Sequence, residues 1–126
     1  MAQTIEDALS NGGIIDITTT GRKTGQARRI EIHLHNLDGE LYLTGRPGFR
    51  RDWVANLRAN SEMTVHLKRG IEADLPARGV VVGESGRKGE IIHRARVESW
   101  NVDPAKARAD LDHWIDTAPL VQVFID

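Results

Sequence analysis

The stretch RRIEIHLHNLDGELYLTG, residues 28–45, decides how the chain folds. In it Ile30, Ile32 and Leu34 alternate with Arg29, Glu31, His33 and His35, the period of two that sends successive side chains to opposite faces of a half-buried strand. Asp38-Gly39 follows, and Asp-Gly between two alternating apolar runs marks a tight hairpin turn. ELYLTG is then the returning strand. IIDITTT at 14–20, β-branched at almost every position, adds a strand before the pair.

Further along the chain the period changes. In RRDWVANLRAN, residues 50–60, Trp53, Val54 and Leu57 share a helical face, with Asp52 in the first turn and Asn60 to end it. MTVHLKR at 63–69 returns to alternation, and IEADLPARGVVV at 71–82 gives a further strand in which Pro76 suggests an edge or a bulge. Residues 84–99 read as a charged helix interrupted by Gly86 and Gly89. Asp103-Pro104 opens another helix, Asp as N-cap and Pro at the first helical position, with Ala107, Leu111, Trp114 and Ile115 along one stripe. PLVQVFI at 119–125 closes the chain as a strand, and residues 4–10 can form a short helix before Gly12-Gly13. The order β-β-β-α-β-β-α-α-β predicts an α+β fold over a single domain, residues 1–126. Its mostly antiparallel six-stranded sheet closes into a small barrel with three to four helices.

Composition narrows the function. Hydrophobic residues make up 40% of the 126 and charged residues 28%, a globular balance. A net charge of -1 argues against general attraction to nucleic acid or to an anionic membrane, so any basic site is local. Without cysteine there is no disulfide, thiolate metal site or cysteine nucleophile. MAQTIEDALSNGG lacks the basic start and apolar run of a secretion signal, and a cytoplasmic protein with no stable membrane insertion is expected.

Local basic sites do exist. Gly21-Arg22-Lys23-Thr24-Gly25-Gln26-Ala27-Arg28 joins the first two strands and is longer and more basic than a plain hairpin requires. Two glycines allow close backbone approach, and the cations supply charge-assisted bonds to phosphate or carboxylate. A solvated hairpin tip is the competing reading. The spacing is not that of a nucleotide-hydrolysing P-loop, because no Lys-Ser/Thr follows Gly25 and a strand follows instead of a helix. A second basic connection, TGRPGFRRDW at 44–53, carries Arg46, Arg50 and Arg51 into a helix N-terminus. Residues 22–51 hold seven of the 17 Lys and Arg, whereas 98–126 hold six acids against Lys106 and Arg108. Charge is sorted along the chain, as an anion site needs.

His33 and His35 on one strand face pose a metal test that His66 could join, but His-x-His alone is common in half-exposed strands and no functional metal is expected. Trp53 and Trp114 fit core or pocket-wall positions on helical stripes, while Trp100 in a connection either lids a ring-shaped ligand or plugs a barrel end.

TTTGRKTGQARRIEI at 18–32, followed by WVANLRAN at 53–60, resembles the deazaflavin-dependent nitroreductase family of split β-barrel flavin/deazaflavin oxidoreductases. The resemblance implies coenzyme F420 as cofactor, its phosphate-bearing tail against Arg22, Lys23, Thr24, Gln26 and Arg28. It implies ring contacts from Thr44, Gly45 and Arg46, with Arg50 in the same connection and Trp53 and Asn56 fixing that loop. The implied reaction is hydride transfer from reduced deazaflavin to a small electron-poor acceptor of quinone, nitro or enone type. His113, beside Trp114, is the candidate proton donor, against an exposed or capping role. The alternatives are an FMN-binding split barrel, whose single phosphate could use the same loop, and a barrel that binds a ligand without turnover. A homodimer is compatible with either, and nucleic-acid binding is not expected.

Overall fold

The computed structural model describes residues 4–47 and 51–126. Six antiparallel strands close into a barrel in the order β1-β2-β3-β6-β5-β4, with β4 pairing back onto β1. They are β1 (Gly13–Thr20), β2 (Ala27–Leu37), β3 (Glu40–Thr44), β4 (Glu62–Leu67), β5 (Ala73–Val81) and β6 (Leu120–Ile125). The split-barrel expectation holds. At the hairpin, Asp38 and Gly39 have φ of 56° and 88°, the pair of positive values a two-residue turn needs to match strand twist. The Asn36 carboxamide accepts from the Gly39 N–H at 2.9 Å and fastens the turn.

Five α-helices surround the barrel: α1 (Ile5–Asn11), α2 (Asp52–Ala59), α3 (Ser85–Arg94), α4 (Pro104–Ala109) and α5 (Leu111–Thr117). Thr4 and Asp7 form a reciprocal cap on α1, and Asp103 with Pro104 starts α4 as the sequence predicts. Two cores result. Inside the barrel Ile17, Leu34, Leu43, Val65 and Val121 are wholly excluded from water, with Trp53 and Leu57 of α2 capping one end. Outside it, Leu37 and Tyr42 pack with Ile92, Ala95, Trp114 and Ala118. Each such side chain contributes about 1.5–3 kcal/mol of burial.

Four local expectations change. Strand β2 is not simply half-buried: Leu34 and His35 are both buried, at 0% and 1% exposure, because the helical layer covers the strand's outer face there. The helix over 84–99 ends at Arg94 and continues as a π-helical turn, Ala95–Ser99, whose wider winding lets the Trp100 N–H reach the Ala95 carbonyl at 3.2 Å. Gly89 does not weaken α3 without return, since a Cβ there would lie 2.8 Å from Ile115 Cδ1; its absence lets α3 and α5 touch. The helix after Pro104 divides at Asp110, whose carboxylate is drawn to Arg96. Pro76 lies within β5, at the end of its ladder with β6, where only its carbonyl is needed, accepting from the Asp126 N–H at 3.0 Å.

Candidate active site

The β1–β2 loop is a closed knot. The Gly21 N–H donates to the Gln26 carbonyl and the Gly25 N–H to the Gly21 carbonyl, both at 2.8 Å, and the Gln26 N–H reaches Thr24 Oγ1 at 3.2 Å. Gly25 has φ +73°, and a Cβ on Gly21 would sit 3.0 Å from the Gln26 carbonyl oxygen, so both glycines are required by geometry. With its backbone satisfied internally, the loop turns its charged side chains outward.

Asn56 of α2 anchors it. Its buried Oδ1 accepts from the Arg22 backbone N–H at 3.1 Å and from Arg22 Nη1 at 2.9 Å, while Nδ2 donates to Thr19 Oγ1 at 3.2 Å. Asp52 adds a long ion pair to Arg22 at 3.4 Å. Asn56 therefore fixes the loop 21–28, rather than the connection before Trp53. Arg22, Lys23, Thr24, Arg28, Trp53 and Asn56 together line a cavity of about 600 Å³. Gln26 is exposed and lies outside that lining.

Lys23 and Arg28 make no ion pair among the described residues, whereas neighbouring Arg29 reaches Asp16 at 2.9 Å. Asp16 also meets Lys68 at 2.7 Å, and Lys68 meets Glu31; hydrogen bonds from Lys68 and then Arg29 hold the Asp16 carboxyl below its usual range. The outer-face charges thus cancel while those of the cradle do not. That leaves a local positive field suited to a phosphate or carboxylate.

Further along β2 a second cavity, of about 870 Å³, opens between His33, the segment Thr44–Pro47, the π-helical turn and α5. The Thr44 hydroxyl is committed to the Pro119 carbonyl at 2.6 Å, so Thr44 offers this cavity its backbone rather than its side-chain oxygen. Gly45 makes room for the Arg51 guanidinium: a Cβ there would be 2.7 Å from Arg51 Nη2, and burial draws the Arg51 pKa down from its ordinary range. Arg46 lies exposed at the rim. Arg50 falls outside the described residues.

Aromatic rings form the wall. His33 and His35 stack at 4.5 Å, and Trp100 meets both edge-on, at 5.9 and 4.8 Å. Trp114 follows Trp100 at 6.2 Å and carries the Arg96 guanidinium 4.2 Å above its ring. Arg96 is 6% exposed and grips Asp110 through two nitrogens at 2.6 and 3.3 Å. Burial, and then the neighbouring His33, lowers the His35 pKa to about 4; burial lowers that of His33 too. Both imidazoles are neutral at pH 7.

This geometry replaces the three-histidine grouping. His66 is held elsewhere, its Nε2 2.7 Å from Thr18 Oγ1 and its Nδ1 2.6 Å from Asp74 Oδ1, and among the described residues no group of three His, Cys, Asp or Glu could hold a metal ion. His113 does line the second cavity, but from an exposed position on α5. Trp100 is a wall of that cavity and a cover for His35 at once, so both readings of it apply. Arg96 and the wall position of His33 escaped the sequence reading. The available signals were the Arg96–Trp100 spacing on a helix and the face shared by His33 and His35, but only the π-helical turn brings them together.

A closed six-stranded split barrel with a cationic loop cradle at one end of a strand and an aromatic cavity further along defines a flavin- or deazaflavin-binding class. The donor set fits such a group, cations for an anionic tail and flat side chains for a ring. The profile of the F420H(2)-dependent quinone reductase family matches residues 2–110, and the chain belongs to that family. It is therefore an F420-dependent oxidoreductase.

No curated protein matches the chain. Among solved structures it is similar to an F420-H2 dependent reductase, with 21% identity, TM-score 0.59, and coverage of 90% of this chain and 93% of that one. It is also similar to a putative pyridoxamine 5'-phosphate oxidase from Listeria innocua, at 11% identity and TM-score 0.65, covering 97% of this chain and 90% of the other. A conserved hypothetical protein of Mycobacterium tuberculosis reaches TM-score 0.70 at 17% identity, over 95% of this chain and 79% of its own. At these identities the likeness carries the fold alone.

Proposed function

We propose that the protein reduces a quinone-type acceptor, with nitro and enone compounds as the related electron-poor classes, and that the F420 tail lies in the Lys23–Arg28 cradle. The observation that carries this reading is the pair of uncompensated cations, Lys23 and Arg28, lining a cavity at one end of β2 while an aromatic cavity lines the other. Ile30 borders the first and His33 the second, about 10 Å of strand apart at roughly 3.3 Å per residue. That distance suits one ligand with an anionic tail and a flat head.

When bound, reduced F420 supplies a hydride; the chain's part is to hold and orient. Arg22, Lys23 and Arg28 take the tail's anionic oxygens, Thr24 and Gln26 add neutral donors, and Asn56 keeps Arg22 in place. The backbone of Thr44 and Gly45, with Arg46 and Arg50, borders the ring, and Trp53 closes the base between α2 and the barrel. The quinone assignment is supported by the family's name. No helix among the described residues is long and apolar enough to cross a membrane, and a cytoplasmic location fits the absence of cysteine. A homodimer is compatible with the exposed Val80 and Phe124 on the outer barrel face and with a structural neighbour, 23% identical at TM-score 0.55, described as a domain-swapped dimer.

Titration with oxidised F420 and, separately, with FMN tests the reading through quenching of cofactor fluorescence. F420 is expected to bind at micromolar concentration or tighter. Failure of F420 to bind there would reject the proposal, and tighter binding of FMN would transfer it to the flavin.

A further inference from the structure

We infer that His33 hydrogen-bonds the carbonyl oxygen of the acceptor and supplies the proton that completes its reduction. The inference rests on the reading of the second cavity as the place of reaction, and it concerns residues no comparison assigns.

Two histidines face that cavity, and they differ in how they are held. His113 stands exposed on α5, and no ring stacks on it among the described residues. His33 stands on β2 between the neighbouring strands, paired with Ile14 of β1 and adjoining the Leu34–Leu43 pair with β3. Its ring is fixed in plane by His35 at 4.5 Å and in azimuth by the edge of Trp100 at 5.9 Å. No hydrogen bond among the described residues occupies either of its nitrogens, and unlike those of His35 they are not both sealed from the cavity. A rigid imidazole with an uncommitted nitrogen is what an oriented donor requires.

His35 is a positioning residue. Buried at 1% exposure with neither nitrogen partnered, it cannot readily take a proton, and its stack holds His33. The other charged or titratable groups around His33 are Arg46 at the rim, Arg96 held by Asp110, and His113; no carboxylate lines the cavity among the described residues. Nothing nearby therefore stabilises His33 as imidazolium, which agrees with its pKa lying below the ordinary 6.5.

The chemistry balances as follows. A quinone takes up one hydride, two electrons with one hydrogen, as reduced F420 is oxidised, and an oxyanion is left on the acceptor. The imidazolium N–H of His33 breaks, an O–H bond forms to give the hydroquinone, and neutral His33 regains its proton from water. The neutral ring, populated at pH 7, still donates an N–H to the carbonyl before transfer.

Binding and turnover are tested separately. Quenching of tryptophan fluorescence by 2-methyl-1,4-naphthoquinone, without any cofactor, reports occupancy of the cavity beside Trp100. His33→Leu, which cannot donate, should weaken that binding about fivefold or more, and His33→Gln, which can, should leave it within about twofold. With reduced F420 and the same quinone, wild-type kcat should rise as pH falls toward a limit below 6.5, and His33→Gln should flatten that limb; the cofactor's own ionisations cancel in the ratio of the two profiles. His33→Leu binding the quinone as wild type does would overturn the inference. So would an acid limb that survives His33→Gln and disappears in His113→Gln. If reduced F420 fails to bind at all, the quenching experiment still decides the binding role of His33, so the two readings fail separately.

Discussion

The cradle around Lys23 and Arg28 keeps its cations exposed on a loop, tied down at Arg22 by one buried amide. The cavity beside His33 keeps its imidazoles and a guanidinium beneath two indoles. In the first, specificity comes from charge, which water and salt weaken. In the second it comes from shape and from neutral polar groups kept out of water, where a misplaced proton is costly. One ligand spanning both would be captured electrostatically and oriented sterically, so substitutions at the two ends should fail in different ways.

The largest contrast should appear in acid. His35 titrates near pH 4 when folded against an ordinary 6.5, so its contribution to stability is complete above pH 6.5 and declines as pH falls toward 4. The loss by pH 4 is about 3 kcal/mol for this group. Urea unfolding at pH 7 and pH 4 should show that His35→Phe loses less stability over this interval than the wild type; equal losses would mean the imidazole is not held neutral. Next in size is Asn56→Ala, which leaves the Arg22 N–H and the Thr19 hydroxyl without their partner and should cost about 2 kcal/mol by thermal or urea unfolding, with F420 binding reduced as well. An Asn56→Ala protein as stable as the parent would show the loop is held by other means.

Lys23→Ala and Arg28→Ala should each weaken F420 binding about tenfold, or about 1.4 kcal/mol, reduce its salt dependence and leave the Tm nearly unchanged. Unfolding of both variants would make the loop a structural element. The smallest effect sharpens the comparison most: raising ionic strength about tenfold should loosen F420 several-fold while barely moving the affinity for 2-methyl-1,4-naphthoquinone. Parallel responses would place charge in both cavities.

The barrel was legible because alternation in 28–45 and the Asp38-Gly39 turn are local signals that tertiary contacts had only to reinforce. The cradle was legible for a similar reason, since a glycine-bracketed basic loop declares its chemistry within eight residues. Burial of His35 was not, because alternation says which residues share a face and leaves open which face a later helix will cover. The break at Asp110 and the π-helical turn were hidden too: each depends on Arg96 and Trp100 finding partners elsewhere in the chain. Asn56 read correctly as an anchor, but its cargo, the loop at Arg22, is set by how α2 lies against β1.

The π-helical turn at Ala95–Ser99 has a consequence for how this site can change over generations. An α-helix advances about 100° per residue, so deleting one residue there would restore ordinary winding and swing everything after it through roughly that angle. Trp100 would leave the imidazoles, a displacement visible in the ring-current shifts of His33 and His35 by NMR. A three-nucleotide deletion could thus rebuild one wall of the cavity while every strand kept its register, a larger step in ligand choice than point substitutions in the barrel allow.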